Sequence, residues 1–94
     1  MDLKIIFEPI NARAAAYDGR TEIGEATYSA SPETWILDHT YVDDNYRGNG
    51  IARKLVDKVV DEARRADVKV LPLCPYAAAL FKEEPETYRD IASH

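Results

Sequence analysis

Arg47-Gly48-Asn49-Gly50-Ile51-Ala52 is the stretch of this chain best suited to hold an anion. Gly48 and Gly50 remove side chains from a tight turn, so a phosphate can approach the backbone. The longest amphipathic pattern of the sequence starts at Ile51. A helix beginning there aims unpaired N–H groups, and the positive end of its dipole, at the turn. Arg47 adds a cation. The Gly-Lys-Ser/Thr ending of a P-loop is absent, and so is the third glycine of a dinucleotide fingerprint. Taken alone, so short a glycine motif fits an ordinary helix-starting loop almost as well.

Other side chains could do chemistry rather than only bind. Cys74 precedes Pro75 at the predicted start of a helix. A helix N-terminus favours a thiolate, which makes Cys74 a candidate nucleophile. A lone cysteine also serves as a small buried hydrophobe. Histidine suits general-base work at neutral pH, and His39 lies on a predicted central strand. Histidines in sheets equally end as hydrogen-bonded core residues. Strand alternation puts Asp38 on the face opposite His39, as a base acting through water or as the cap of a polar network. The other histidine, His94, is terminal and expected to be mobile. No cysteine-based metal site is expected, since Cys74 is the single cysteine.

The elements that position these residues read as follows. Leu3, Ile5 and Phe7 alternate as a strand, broken by Pro9 and Asn11. Arg13 to Tyr17 resumes it. Asp18-Gly19 then signals a hairpin of type I′, and Glu22 to Ala30 returns. Thr34 to Val42 is rich in β-formers with apolar groups on both faces, which predicts a central strand covered on both sides. From Ile51 to Ala66 apolar residues recur at helical spacing, with charges opposite, and the Leu55/Val56/Val59/Val60 stripe is core. Val68 to Leu73 is a short strand. The helical crossover before it makes it parallel to the preceding strand, and Pro72 confines it to an edge or a splayed position. Pro75 opens a second helix, and Pro85 a last helical turn.

The whole chain reads as one domain of 94 residues. Its net charge of −5 argues against nucleic acid and is compatible with a cationic partner such as an amine. No apolar run approaches the roughly 18 residues of a membrane span. Met1-Asp2-Leu3-Lys4 is not of signal-peptide type. The reading is a cytoplasmic protein with no membrane association.

Three segments together carry a more specific signal. They are His39-Thr40-x-Val42, Arg47-Gly48-x-Gly50-Ile51-Ala52 and Val70-x-Pro72-x-Cys74-Pro75-Tyr76. The middle one resembles the Arg/Gln-x-x-Gly-x-Gly/Ala motif of the GCN5-related N-acetyltransferase (GNAT) superfamily. The set is similar to its small single-domain YjdJ-type members. The resemblance spans nearly the whole chain. It implies an α+β, three-layer GNAT-like fold: an antiparallel meander of three to four strands, a crossover helix, a short parallel strand, and one or two C-terminal helices. It implies acetyl-CoA as cofactor and transfer of its acetyl group to a small or peptidyl amine. Two other possibilities are a module that binds CoA or acyl-CoA and lacks an acceptor site of its own, and a generic α/β domain that binds another phosphate ligand through the same turn.

By this resemblance, the backbone at Tyr41 and Val42 pairs with the pantetheine arm. The amides of Arg47, Gly48, Asn49, Gly50, Ile51 and Ala52 hold the pyrophosphate. Cys74 and Tyr76 line the thioester end. Cys74 accepts the acetyl group or contacts the CoA sulfur, and His39 is the base. Tyr76 has the place of a tyrosine that protonates the leaving thiolate, or packs as an ordinary aromatic. Transfer directly from thioester to amine is the other route. Asp43-Asp44-Asn45 departs from the less acidic connection expected there, with a bearing on acceptor preference. A monomer or weak homodimer is expected.

Overall fold

A computed structural model describes residues 1–93 as a five-stranded mixed sheet with three α-helices, and His94, expected to be mobile, lies outside them. The strands stand side by side in sequence order. β1 (Leu3–Glu8), β2 (Arg13–Asp18), β3 (Thr21–Ala30) and β4 (Thr34–Val42) form an antiparallel meander. After α1 (Ile51–Arg65), β5 (Lys69–Pro72) adds to β4 in parallel, from Thr34↔Lys69 to Leu37↔Pro72. The helical return explains the parallel sense. α2 (Pro75–Glu83) and the short α3 (Pro85–Tyr88) close the chain. This is the α+β arrangement that the sequence implies. No described helix is long and apolar enough to cross a membrane.

The core forms where the two periodicities meet. α1 buries Ile51, Leu55, Val56, Val59, Val60 and Ala63, one stripe at helical spacing. Under it lie Ala14, Ala16, Ala26, Tyr28 and Leu37 from the sheet. The three alanines leave room for the helix to sit close. At one end Phe7, Tyr28 and Trp35 stack, with ring centroids 4.3 Å apart for Tyr28 and Trp35 and 5.8 Å for Phe7 and Tyr28. The face of β4 away from α1 is polar and exposed: the hydroxyls of Thr27 and Ser29 donate to the Asp38 carboxylate at 2.5 and 2.9 Å. The expectation of a strand covered on both sides is therefore corrected. A carboxylate is too costly to cover there with an apolar layer.

The first hairpin also differs from its expected form. Asp18 remains in β2 and pairs with Thr21, so Gly19-Arg20 is the loop. Only Gly19 has positive φ, at 60°, whereas a type I′ turn needs two such residues. The free edge of β5 is covered by the chain's end, where Val70 N–H donates to Ile91 O and Ser93 N–H to Val70 O, both at 2.8 Å.

Gly24 marks a close approach. A Cβ there would stand 2.7 Å from Tyr41 O and 3.2 Å from Leu55 Cδ1. Gly24→Ala is expected to destabilise the fold by about 1–3 kcal/mol through overpacking. Chemical denaturation measures this, and an unchanged midpoint would show that β3 and β4 yield without cost.

Candidate functional site

Between β4 and α1 the chain makes a 3-10 turn at Asp44–Tyr46 and then the glycine turn. Gly48 and Gly50 have φ of 85° and 71°. Such left-handed values cost other residues about 1–2 kcal/mol. A Cβ at either would meet nothing within 4 Å. The glycines therefore meet a demand of the backbone and leave the space beside it open. Gly50 is the N-cap and offers no side chain to the helix. The first intrahelical bond runs from Lys54 N–H to Gly50 O, 3.2 Å. The N–H groups of Ile51, Ala52 and Arg53 precede it and have no intrahelical acceptor. No acidic residue stands in the first turn of α1. Donors, dipole and charge all favour an anion at this point.

The turn is built to hold its shape. Tyr46 Oη donates to Asp18 Oδ2 at 2.7 Å, and Asn49 Nδ2 donates to Tyr46 O at 2.9 Å. Asp43 accepts from Asn45 N–H at 2.9 Å. Arg47 pairs with Asp44 at 3.0 Å while its side chain stays 70% exposed. An exposed pair of this kind is worth about 0–1 kcal/mol, so Arg47 is free to turn to a ligand. The acidic residues Asp43 and Asp44 serve the turn itself.

An open cleft of about 430 Å³ starts at the turn and runs along the end of β4. Tyr41, Val42, Arg47, Gly48, Gly50, Ile51, Ala52 and Tyr76 all line it, so eight of the residues singled out from the sequence meet there. Thr40 and Tyr46 line it as well. Asn49 does not, since its side chain is turned back onto Tyr46. The cleft exists because β5 is short. Leu73 N–H and Cys74 N–H both donate to Leu37 O, at 3.0 and 2.9 Å, and the chain then leaves the sheet into α2. Past Leu37, β4 has no strand partner on that side. Its backbone groups there remain available to an extended ligand.

Cys74 stands at this gap, 5% exposed, as the N-cap of α2. Its Sγ lies 3.4 Å from Thr40 Oγ1. Burial alone would push the thiol up. The Thr40 hydroxyl and the backbone amides of Ala77, Tyr76 and Thr40 outweigh it and hold the thiol below its ordinary range. The amides of Tyr76 and Ala77 act as oriented dipoles rather than as partners of a formal side-chain cap. Burial pushes the Tyr76 phenol up, so it stays protonated at neutral pH.

His39 is placed elsewhere. The register of β3 against β4 slips between Thr27↔His39 and Tyr28↔Leu37, which makes Asp38 an extra residue. Leu37 and Thr40 both face the helices as a result. Asp38 and His39 lie exposed between them. The expectation that these two occupy opposite faces is thereby corrected. Cys74 does not itself line the cleft but lies against Thr40, which does, while His39 stands on the open face one residue from Thr40. The sequence reading did not single out Thr40 or Tyr46 as site residues. Thr40 is signalled only as a position of the His39-Thr40-x-Val42 segment, and Tyr46 only by its place before Arg47.

Further contacts tie α1 to the C-terminal helices. Arg53, in the first turn of α1, pairs through both terminal nitrogens with Glu84 and through Nε with Asp57 at 3.2 Å. Tyr88 Oη donates to Asp57 at 2.5 Å, and the Arg53 guanidinium lies 5.8 Å from the Tyr88 ring centroid. The start of α1 is thus tied to the α2–α3 junction.

Residues 13–91 match the family model described as GCN5-related N-acetyl-transferase. Among solved structures, the chain is similar to a GCN5-like candidate N-acetyltransferase from Staphylococcus aureus. The TM-score is 0.74 at 26% identity, covering 98% of this chain and 89% of that one. It is also similar to a ribosomal-protein-alanine N-acetyltransferase from Brucella melitensis biovar Abortus 2308. There the TM-score is 0.62 at 26% identity, covering 87% of this chain and 58% of that one. No curated protein matches the chain.

Proposed function

The chain belongs to the GCN5-related N-acetyltransferase family, and from that premise we propose that it binds acetyl-CoA in the cleft and transfers the acetyl group to an amine. The observation that carries this reading is a coincidence of two features in one cleft. The uncapped start of α1 and the unpaired edge of β4 are its two ends. The first suits a pyrophosphate. The second suits an arm containing amides. Together they fit CoA better than a compact phosphate ligand such as ATP, which has no amide-bearing arm to pair with a strand.

The bound cofactor supplies an acetyl group activated as a thioester. The amides of Arg47 to Ala52 hold the pyrophosphate, and Arg47 adds charge once released from Asp44. Val42 offers strand hydrogen bonds to the arm, and Tyr41, whose backbone faces β3, lines the cleft. Cys74 lies against Thr40 at the β4 end of the cleft. Its thiolate would attack the thioester carbonyl and break the bond from the acetyl carbon to the CoA sulfur, the CoA thiolate leaving with a proton. The amine nitrogen would then attack the acetyl-cysteine and release the Cys74 thiolate again. Tyr76 provides a phenolic proton beside it. His39, on the open face, takes the proton of an ammonium group arriving from that side. Positioning supplies most of the acceleration.

One observation favours the second reading, a CoA- or acyl-CoA-binding module. No described element covers the face that bears Asp38 and His39. An acceptor would then be a peptide or protein amine, or would be supplied by a partner. Titration with acetyl-CoA, CoA and ATP, followed by thermal stability, tests the premise. Acetyl-CoA and CoA are expected to raise Tm and ATP to have little effect. Stabilisation by ATP alone would overturn the reading. Binding without turnover of any amine in a broad panel would favour the module.

A further inference from the structure

We propose that Thr40 is the positioning residue of this cleft, holding the Cys74 sulfur at the mouth of the gap between β4 and β5 through two groups of one residue. Its hydroxyl lies 3.4 Å from Sγ, and its backbone N–H, on the edge that β5 leaves free, helps hold the thiol below its ordinary range. This inference rests on the reading of Cys74 as the group that faces the thioester.

Three features carry it. The first is the slip in register at Asp38, which turns Thr40 inward. In a regular strand Leu37 and His39 would share the inner face, and Thr40 would look out over the open one. The extra residue inverts this. The second is the loss of β5 as a partner after Leu37. It frees the Thr40 N–H from any strand ladder on that edge, where a sulfur can receive it. The third is the double acceptance at Leu37 O, which pins the Leu73 and Cys74 amides and so fixes Cys74 against β4. Thr40 also lines the cleft, so whatever it does to the sulfur it does at the ligand's end of the strand.

The chemistry follows from the geometry. When Cys74 carries its proton, the S–H donates to Thr40 Oγ1. When it is a thiolate, the Thr40 hydroxyl reverses and donates to sulfur. A hydroxyl can serve both states because it is donor and acceptor. It favours the thiolate, since hydrogen bonds to a charged acceptor are the stronger kind. Valine at this position keeps the branched shape and loses the hydroxyl. Serine keeps the hydroxyl and loses a methyl group. Both leave the backbone N–H in place.

The test uses the free protein without acetyl-CoA. Cys74 is the single cysteine, so alkylation by iodoacetamide reports on it alone. The pH profile of the alkylation rate is measured for the native chain, Thr40→Val and Thr40→Ser. Thr40→Val is expected to move the midpoint to higher pH, with about a tenfold smaller thiolate fraction at neutral pH. Thr40→Ser is expected to restore the native profile. Folding is checked by circular dichroism, and if the valine variant is unfolded, the serine profile and a Thr40→Ala profile take its place. A folded variant without the hydroxyl whose midpoint equals the native one would overturn the assignment. The expected profiles together with unimpaired acetyl transfer by Cys74→Ala would uphold Thr40 and remove Cys74 from catalysis, so the two readings fail separately.

Discussion

Gly50→Glu is expected to abolish binding of CoA and acetyl-CoA, raising Kd at least about hundredfold, or about 2.7 kcal/mol. Two effects add. The new carboxylate sits at the N-cap, where it occupies the place of the ligand's phosphate and repels it. The backbone must also hold φ at 71°, a strained value for glutamate. That second effect costs stability of about 1–2 kcal/mol, which the well-buried α1 stripe can absorb. No protein atom blocks the side chain, because a Cβ at Gly50 meets nothing within 4 Å. The fold should therefore persist while the site fails. Gly50→Ala carries the same backbone strain without charge and separates the two effects, since it should weaken binding far less. Calorimetric titration with CoA measures all three proteins. A folded Gly50→Glu protein that binds CoA within about threefold of the native Kd would remove the pyrophosphate role from this turn.

Cys74→Ala carries the second large effect. Incubation of the native chain with acetyl-CoA should leave one acetyl group on the protein, visible by intact mass, and the alanine variant should show none. Its acetyl transfer should fall at least about hundredfold, the scale of losing an essential nucleophile. Its affinity for CoA should change little, because Cys74 is not among the residues that line the cleft at the turn. The void left by sulfur is small and costs about 1 kcal/mol. His39→Gln should behave differently, keeping the adduct and slowing only its transfer to the amine. An alanine variant that still acquires the acetyl group, or turns over at the native rate, would mean that transfer runs directly from thioester to amine.

Most of the frame is legible in local patterns. The alternation of Leu3, Ile5 and Phe7, the helical spacing from Ile51 and the crossover to Val70 are local patterns. Each states how one segment buries its own apolar side, and the layers follow. The glycine turn was legible for the same reason, since positive φ and an uncapped helix start depend on residues next to one another. Pro72 likewise announced where β5 would leave β4.

On β4 the outcome depends on packing across the sheet. Alternation assumes a regular strand, and one extra residue reverses every later position. The slip at Asp38 belongs to the pairing of β3 with β4, and no residue near Asp38 signals it. It moved His39 to the open face and brought Thr40 to Cys74, 34 residues away. The first turn shows the same limit on a smaller scale, because the pairing of Asp18 with Thr21 decided which residues form the loop. Short-range patterns encode which face of each element is apolar. The register between elements is fixed by packing across the whole sheet, and the contacts around Cys74 depend on that register.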